Sequence, residues 1–312
     1  MDANLVRRQK ARQSKRKLIR NDIALYIMLI FPVLVVIVFR YIPIAGAIIA
    51  FKDYDFMKGI WGSSFVGFKW FQRFLKNRRF ISIFWNTLSL SVNSLLFSFP
   101  WPIILALSLN EVANQKFKRS IQTFSYLPYF ISTVVVVGIM HQILSPTTGV
   151  VNTIIGLFGG KAINFITQPK WFKPTYIISG IWSSVGYNSI IYLSALTTIN
   201  PELYEASYID GAGRWDRIYH ITLPGILPVI IILFLLSLGS LINIGYEKAY
   251  LMQNSLNLSS SEIIGTYVYK QGLIDLKYSY STAVGLFQSV INFVLITVAN
   301  TVSRRAADIS LW

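Results

Sequence analysis

In this 312-residue chain the side chains able to do chemistry are few, and their spacing removes most reaction classes. The two histidines, His141 and His220, stand far apart, and no carboxylate pair sits at hydrolase or metal-site spacing. There are no cysteines, hence no thiol nucleophile, cysteine zinc site or disulfide. No Gly-x-x-x-x-Gly-Lys-Ser/Thr loop is present to cradle a nucleotide. What remains is polar chemistry of two kinds. One is a charged, glycine-broken stretch at 205–226, EASYIDGAGRWDRIYHITLPGI, lying between two long apolar runs. The other is a scatter of amides, aromatics and one carboxylate in or beside apolar runs: Asn86, Asn93, Trp182, Tyr187, Asn188, Asn243, Tyr246, Glu247, Gln288 and Asn292. Such groups bind by hydrogen bonding, either to a solute or to a neighbouring helix.

The elements that carry these residues are set by composition. The chain is 54% hydrophobic and only 13% charged, about half the charge of an ordinary soluble domain. Its apolar residues come in blocks long enough for membrane-spanning helices. The expected fold is an all-α membrane protein with six spans, near 23–39, 83–109, 121–144, 176–199, 226–244 and 283–302. Pro32, Pro100, Pro102, Pro128 and Pro228 are expected to kink these helices rather than end them. The net charge of +16 does not point to nucleic acid, because eight of the 29 Lys and Arg fall in the first twenty residues, directly before the first span. A basic run there suits anionic lipid headgroups and sets both termini on the cytoplasmic side. Over the whole chain that orientation places fifteen basic residues inside and fourteen outside, so the tail decides it. No small-residue cleavage site follows the first span. The expected organisation is a basic tail at 1–21, a first span with an outer interfacial segment at 22–81, a five-helix transmembrane domain at 82–303 and a C-terminal tail at 304–312.

Outside, GFKWFQRFLKNRRFISIFWN alternates aromatics with Lys and Arg, as an interfacial helix with snorkelling cations would. Its cations Lys69, Arg73, Lys76, Arg78 and Arg79 serve either as interfacial anchors or to attract an anionic solute. GVVNTIIGLFGGKAINFITQPKWF reads as a short helix with a turn.

Around the charged stretch, Asn200 is placed to cap a helix, Pro201 suits its first position and Glu202 favours its first turn. Gly211 and Gly213 would turn the chain through angles closed to other residues. Residues 214–220 can form a second short helix before Pro224 and the fifth span. A plain connection needs none of this; helix, turn, helix is expected.

Glu205-Ala206-Ser207, three residues, Gly211, nine residues, then Ile221-Thr222-Leu223-Pro224 resembles the EAA loop of bacterial ABC importer permeases, with Ser207 for a second alanine the only departure. YIPIAGAIIAFKDYD, GFKWF, WNTL, SPTTGVVN, INFITQPKWF and the final SLW extend the resemblance to the LplB-like, MalF-like carbohydrate-importer group, over nearly the whole chain. The resemblance implies one half of a type I ABC importer in a bacterial plasma membrane, of the Gram-positive kind in which this group largely occurs. It would form a heterodimer with a second permease and work with two cytosolic ABC ATPases and an extracellular solute-binding lipoprotein. ATP and magnesium would belong to the ATPases, with no cofactor on this chain. By the same carry-over Glu205, Ala206, Ser207, Asp210, Gly211 and Gly213 would engage the ATPase, and Leu223-Pro224 would join that projection to the fifth span.

For a sugar, hydrogen-bonding groups beside aromatic faces would line the path. Tyr187, Asn188, Asn243, Tyr246 and Glu247 rank first, followed by Asn86, Trp182 and Gln288, each equally able to join helices instead. Gly186 would let a ligand approach the backbone, and Lys248 would neutralise Glu247. An importer for a non-sugar solute and an ion-coupled carrier are the alternatives, but the spans are nearly empty of the ionisable residues a carrier uses.

Overall fold

The computed structural model describes residues 23–307 and 310–311. The basic tail at 1–21 and Trp312 lie outside the described residues.

Two compact units divide after Phe68, so the interfacial segment expected with the first span is split between them. In the first unit, helix α1 (Ile23–Val36) continues through a widened turn (Ile37–Tyr41), a short helix (Ile42–Gly46) and a tight turn (Ala47–Phe51). The apolar segment Leu25–Phe51 is thus 27 residues long, well beyond the expected 23–39. A two-residue strand β1 (Lys52–Asp53) then pairs antiparallel with β2 (Ser64–Phe65).

The second unit opens with α2 (Lys69–Leu75), the helix expected at the interface, which buries Trp70 and Phe74 and lays Lys69 and Arg73 over the Trp70 ring, 4.6 and 5.4 Å from its centroid. The second span is α3 (Phe80–Ser98) and α4 (Pro100–Asn110), kinked at Phe99 where Pro100 and Pro102 follow.

The third span is not the single helix expected at 121–144. Helix α5 (Gln115–Tyr126) tightens at Leu127–Phe130, Ile131 goes extended, and α6 (Thr133–Ile143) leaves at 103°. Pro128 cannot donate to the helix ladder, and the Ser132 side chain caps a new helix by accepting from Val135 N–H at 3.4 Å. A stop and a start so close together break the span instead of bending it. The short helix expected in the next loop is α7 (Val150–Leu157), held by the buried Asn152 amide, which donates to Ile163 and Ser145 carbonyls.

Helix α8 (Pro169–Leu196, 28 residues) is the centre of the unit and packs against α3, α4, α5 and the fifth span. Among the described residues four helical segments are long and apolar enough to cross a membrane, with the broken pair a fifth. The expected fourth span, α8, is long enough but less apolar, because protein rather than lipid surrounds much of it. Its serines donate to their own helix, Ser179 to Thr175 O at 2.6 Å, Ser184 to Gly180 O at 2.8 Å and Ser189 to Gly186 O at 2.6 Å. Those three hydroxyls are thereby satisfied within the helix itself. One end of α8 packs in a cluster with Leu90, Val137, Ala249, Met252 and Ile263; the other places Tyr192 and Leu196 against Ala106 and Ile226.

After α8 come α9 (Pro201–Ile209), α10 (Arg214–Arg217) and α11 (Leu223–Gly239), then α12 (Tyr246–Met252), α13 (Leu258–Ser261), α14 (Ile264–Tyr269) and the sixth span α15 (Tyr278–Ala307).

Candidate coupling site and solute path

The charged stretch is a closed, cross-braced hairpin of helices. Asn200 accepts from Glu202 N–H at 3.1 Å, and Pro201 occupies the first turn of α9. The helix is closed by Gly211 at φ +72°: Gly211 N–H reaches Tyr208 O at 3.2 Å, and Ala212 N–H reaches Ser207 O at 2.9 Å. This paired closure requires a left-handed residue, which is why glycine stands there. Gly213 does not share that role. Its angles (φ −70°, ψ 170°) are open to any residue, and its N–H is taken by the Asp216 carboxylate at 3.0 Å as α10 begins.

Two braces cross the hairpin. Arg217 is buried; its Nη1 donates to Ala212 O at 2.9 Å, and its guanidinium lies 4.1 Å from the centre of the Tyr208 ring. The hydroxyls of Tyr204 and Thr222 meet at 3.0 Å, tying α9 to the foot of the fifth span. The second helix is not separate from that span. From Arg214 to Gly239 the chain is one 26-residue helix, whose widened turn at Ile218–Thr222 is closed by Leu223 N–H on Ile218 O. A turn of that kind relieves the clash a proline makes with the carbonyl four residues back, so Pro224 sits in the helix without ending it. That helix is about 39 Å long, and the two braces tie α9 to its foot.

Glu205 and Ala206 are exposed on this hairpin, and so are Asp210 and the apolar side chains of Leu203, Tyr208, Ile209, Trp215 and Tyr219, with Ile209 at 88%. Ser207 faces inward, 9% exposed, its hydroxyl donating to Tyr204 O at 2.7 Å. The departure from the alanine pattern thus falls on the inner side, where the extra oxygen is satisfied.

The polar residues expected along the path separate into two groups. Asn86 is buried and donates to Ser259 and Glu262 carbonyls. Gln288 donates to Ile242 O at 2.7 Å, while Asn292 accepts from Ile242 N–H at 3.1 Å, together holding the chain where the fifth span ends. These three join helices. Gly186 admits no ligand: a Cβ there would lie 2.0 Å from Ser125 O, so it is the crossing point of α8 on α5. Lys248 does not face Glu247 as a partner; its ammonium donates to Tyr176 O at 2.8 Å and lies over the Tyr176 ring.

Asn188, Asn243, Tyr246 and Glu247 remain exposed. Asn188 lines a cleft of about 390 Å³ with Ser98, Tyr192, Ser237 and Ser240, between the second, fourth and fifth spans. Tyr187 stacks on Tyr129 with centroids 3.8 Å apart and rings 4° from parallel. Trp182 faces a different, wholly apolar cleft lined by Val136, Ile139 and Ile178. Arg217, Tyr204 and Thr222 escape a motif reading because their braces are made across the turn. Among the described residues, no group of three or more His, Cys, Asp or Glu could hold a metal ion.

Comparison with known proteins agrees with this architecture. Residues 98–308 match the family described as binding-protein-dependent transport system inner membrane component. Protein LplB of Bacillus subtilis (strain 168) is 46% identical over 92% of this chain and 90% of its own length. The polygalacturonan/rhamnogalacturonan transport system permease protein YteP of the same organism is 40% identical over 100% of this chain and 97% of its own. The crystal structure of a bacterial ABC transporter involved in the import of the acidic polysaccharide alginate superposes with a TM-score of 0.85 at 40% identity, covering 94% of this chain and 99% of that one. The chain is therefore a multi-pass membrane permease subunit of an ABC importer, not itself an enzyme, and belongs to the family of binding-protein-dependent transport system inner membrane components.

Proposed function

We propose that this chain forms half of the translocation path of an ATP-driven importer for acidic oligosaccharides, with residues 200–224 seated in a cytosolic ATPase subunit. The observation that carries the coupling role is the braced hairpin running without a break into the fifth span, its exposed face bearing Glu205, Ala206, Tyr208 and Ile209. A second permease completes the path. Two ATPase subunits supply ATP and magnesium, and a solute-binding lipoprotein delivers the sugar; dependence on a binding protein is the family's own description. The basic tail favours a bacterial plasma membrane with both termini cytoplasmic.

An acidic cargo is favoured by the relatives, since polygalacturonan and alginate transporters match this chain end to end. The outward cations are weaker support. Lys69 and Arg73 lie on the Trp70 ring, and Arg79 pairs with Glu262 at 3.5 Å, as interfacial anchors would. The test is uptake by the assembled importer in proteoliposomes, with trigalacturonate and maltotriose as probes. ATP-dependent accumulation of trigalacturonate is expected. Accumulation of maltotriose alone would overturn the acidic reading, and ATP-independent uptake would overturn the importer reading.

A further inference from the structure

Helix α12 (Tyr246–Met252) is short and buries Ala249 and Met252. Both enter the core, whereas Tyr246 and Tyr250, one turn apart, and Gln253, just past the helix end, gather on the neighbouring side. That side meets the end of α14. Tyr246 stacks on Tyr269 with centroids 5.3 Å apart and planes 24° from parallel, and Tyr250 leans on the same ring at 4.9 Å. Gly265 makes the approach possible, because a Cβ there would lie 2.9 Å from Tyr246 Cβ. Lys270 follows Tyr269. Its ammonium donates to the Gln253 carbonyl oxygen and stands 5.9 Å from the Tyr250 ring centre. Among the described residues no carboxylate lies within ion-pair distance of Lys270. The other half of the Gln253 amide, its buried Nε2, has no hydrogen-bond partner. A buried donor left without a partner carries the full cost of its desolvation, and here it stands beside a partly exposed ammonium that no carboxylate neutralises.

We propose that Tyr246, Tyr250, Gln253, Tyr269 and Lys270 form a binding site for one uronate residue of the transported sugar. The half-exposed outer face of Tyr246 takes the apolar face of the pyranose ring. Lys270 binds the carboxylate, and Gln253, turning its amide, gives its free N–H to the same group or to an adjacent hydroxyl. A neutral sugar would gain the ring contact and lose the charge-assisted bonds. The site lies in the segment between the fifth and sixth spans, separate from the Asn188 cleft, and serves as a first station for a chain threaded into the path. It rests on the acidic-oligosaccharide reading above.

The test uses the whole importer in proteoliposomes with trigalacturonate as probe, comparing wild type with Lys270→Gln, Lys270→Arg and Tyr246→Ala. Recovery of assembled complex and its basal ATP hydrolysis serve as the check on folding. Lys270→Gln is expected to raise half-saturation for trigalacturonate about tenfold, the loss of one charge-assisted bond. Lys270→Arg should stay within about twofold of wild type, and Tyr246→Ala should also weaken uptake. Half-saturation unchanged in both Lys270→Gln and Tyr246→Ala, with wild type transporting normally, would overturn this site alone. No trigalacturonate uptake by wild type would instead overturn the acidic cargo, and the uronate assignment with it.

Discussion

Arg217→Met removes the guanidinium that braces the hairpin and leaves an unbranched apolar side chain in its place. In the wild type the guanidinium makes one charge-assisted bond to Ala212 O at 2.9 Å and covers the Tyr208 ring at 4.1 Å. A hydrogen bond from a charged group contributes about 1.5–3 kcal/mol, and a cation over an aromatic ring about 0.5–2 kcal/mol. Water can replace part of the first at an exposed hairpin, so the net loss is about 2 kcal/mol. That shifts the balance between a stiff and a loosened hairpin roughly 30-fold toward the loosened form. In the proposed coupling role a loosened hairpin would still touch the ATPase but absorb its stroke in its own turn. The assay measures sugar uptake and phosphate release in one preparation of the reconstituted importer. Sugar moved per ATP is expected to fall at least about twofold while hydrolysis continues. Arg217→Lys, which keeps the charge without the planar fork, should fall in between. An unchanged ratio in Arg217→Met, with normal assembly, would refute the claim that rigidity of this hairpin transmits the stroke.

Further expectations test the packing. Gly186→Ala forces a Cβ to within 2.0 Å of Ser125 O; overpacking of this kind costs about 1–3 kcal/mol or more. Less assembled complex with an unaltered half-saturation for sugar is expected, and a shift in half-saturation at full assembly would restore a ligand role for this position. Lys248, pushed down to about 8 by desolvation, holds fewer protons folded than unfolded between about 8 and its ordinary value of 10.5. Stability should therefore rise with pH across that window, and Lys248→Met should flatten the rise when thermal unfolding of the complex is followed; an unchanged slope would contradict it.

What the sequence made legible was local. The cap at Asn200, Pro201 in the first turn and the closure at Gly211 depend on a few neighbouring residues whose backbone preferences are strong. The features that escaped it depend on what comes near in space. Gly186 and Gly211 look alike in sequence, yet one admits a helix backbone and the other a left-handed turn. Asn86 and Gln288 resemble Asn188 and Asn243 by type, and only packing separates those that bind helices from those left open. Pro128 could mark a kink or a break; Ser132, a capping residue four positions on, decides for the break at 103°. Ion and ring contacts such as Arg217 on Tyr208 leave no periodic trace.

Because the chain has no cysteine, one thiol placed at Ala206 reports on the coupling site alone. The decisive measurement is the modification of Ala206→Cys by a hydrophilic maleimide, in this chain by itself and in the assembled importer, with and without ATP. Protection on assembly is expected, together with cross-linking to the ATPase subunit that changes with nucleotide. A thiol modified equally fast in the free chain and in a transporting complex would mean that no motor grips this hairpin.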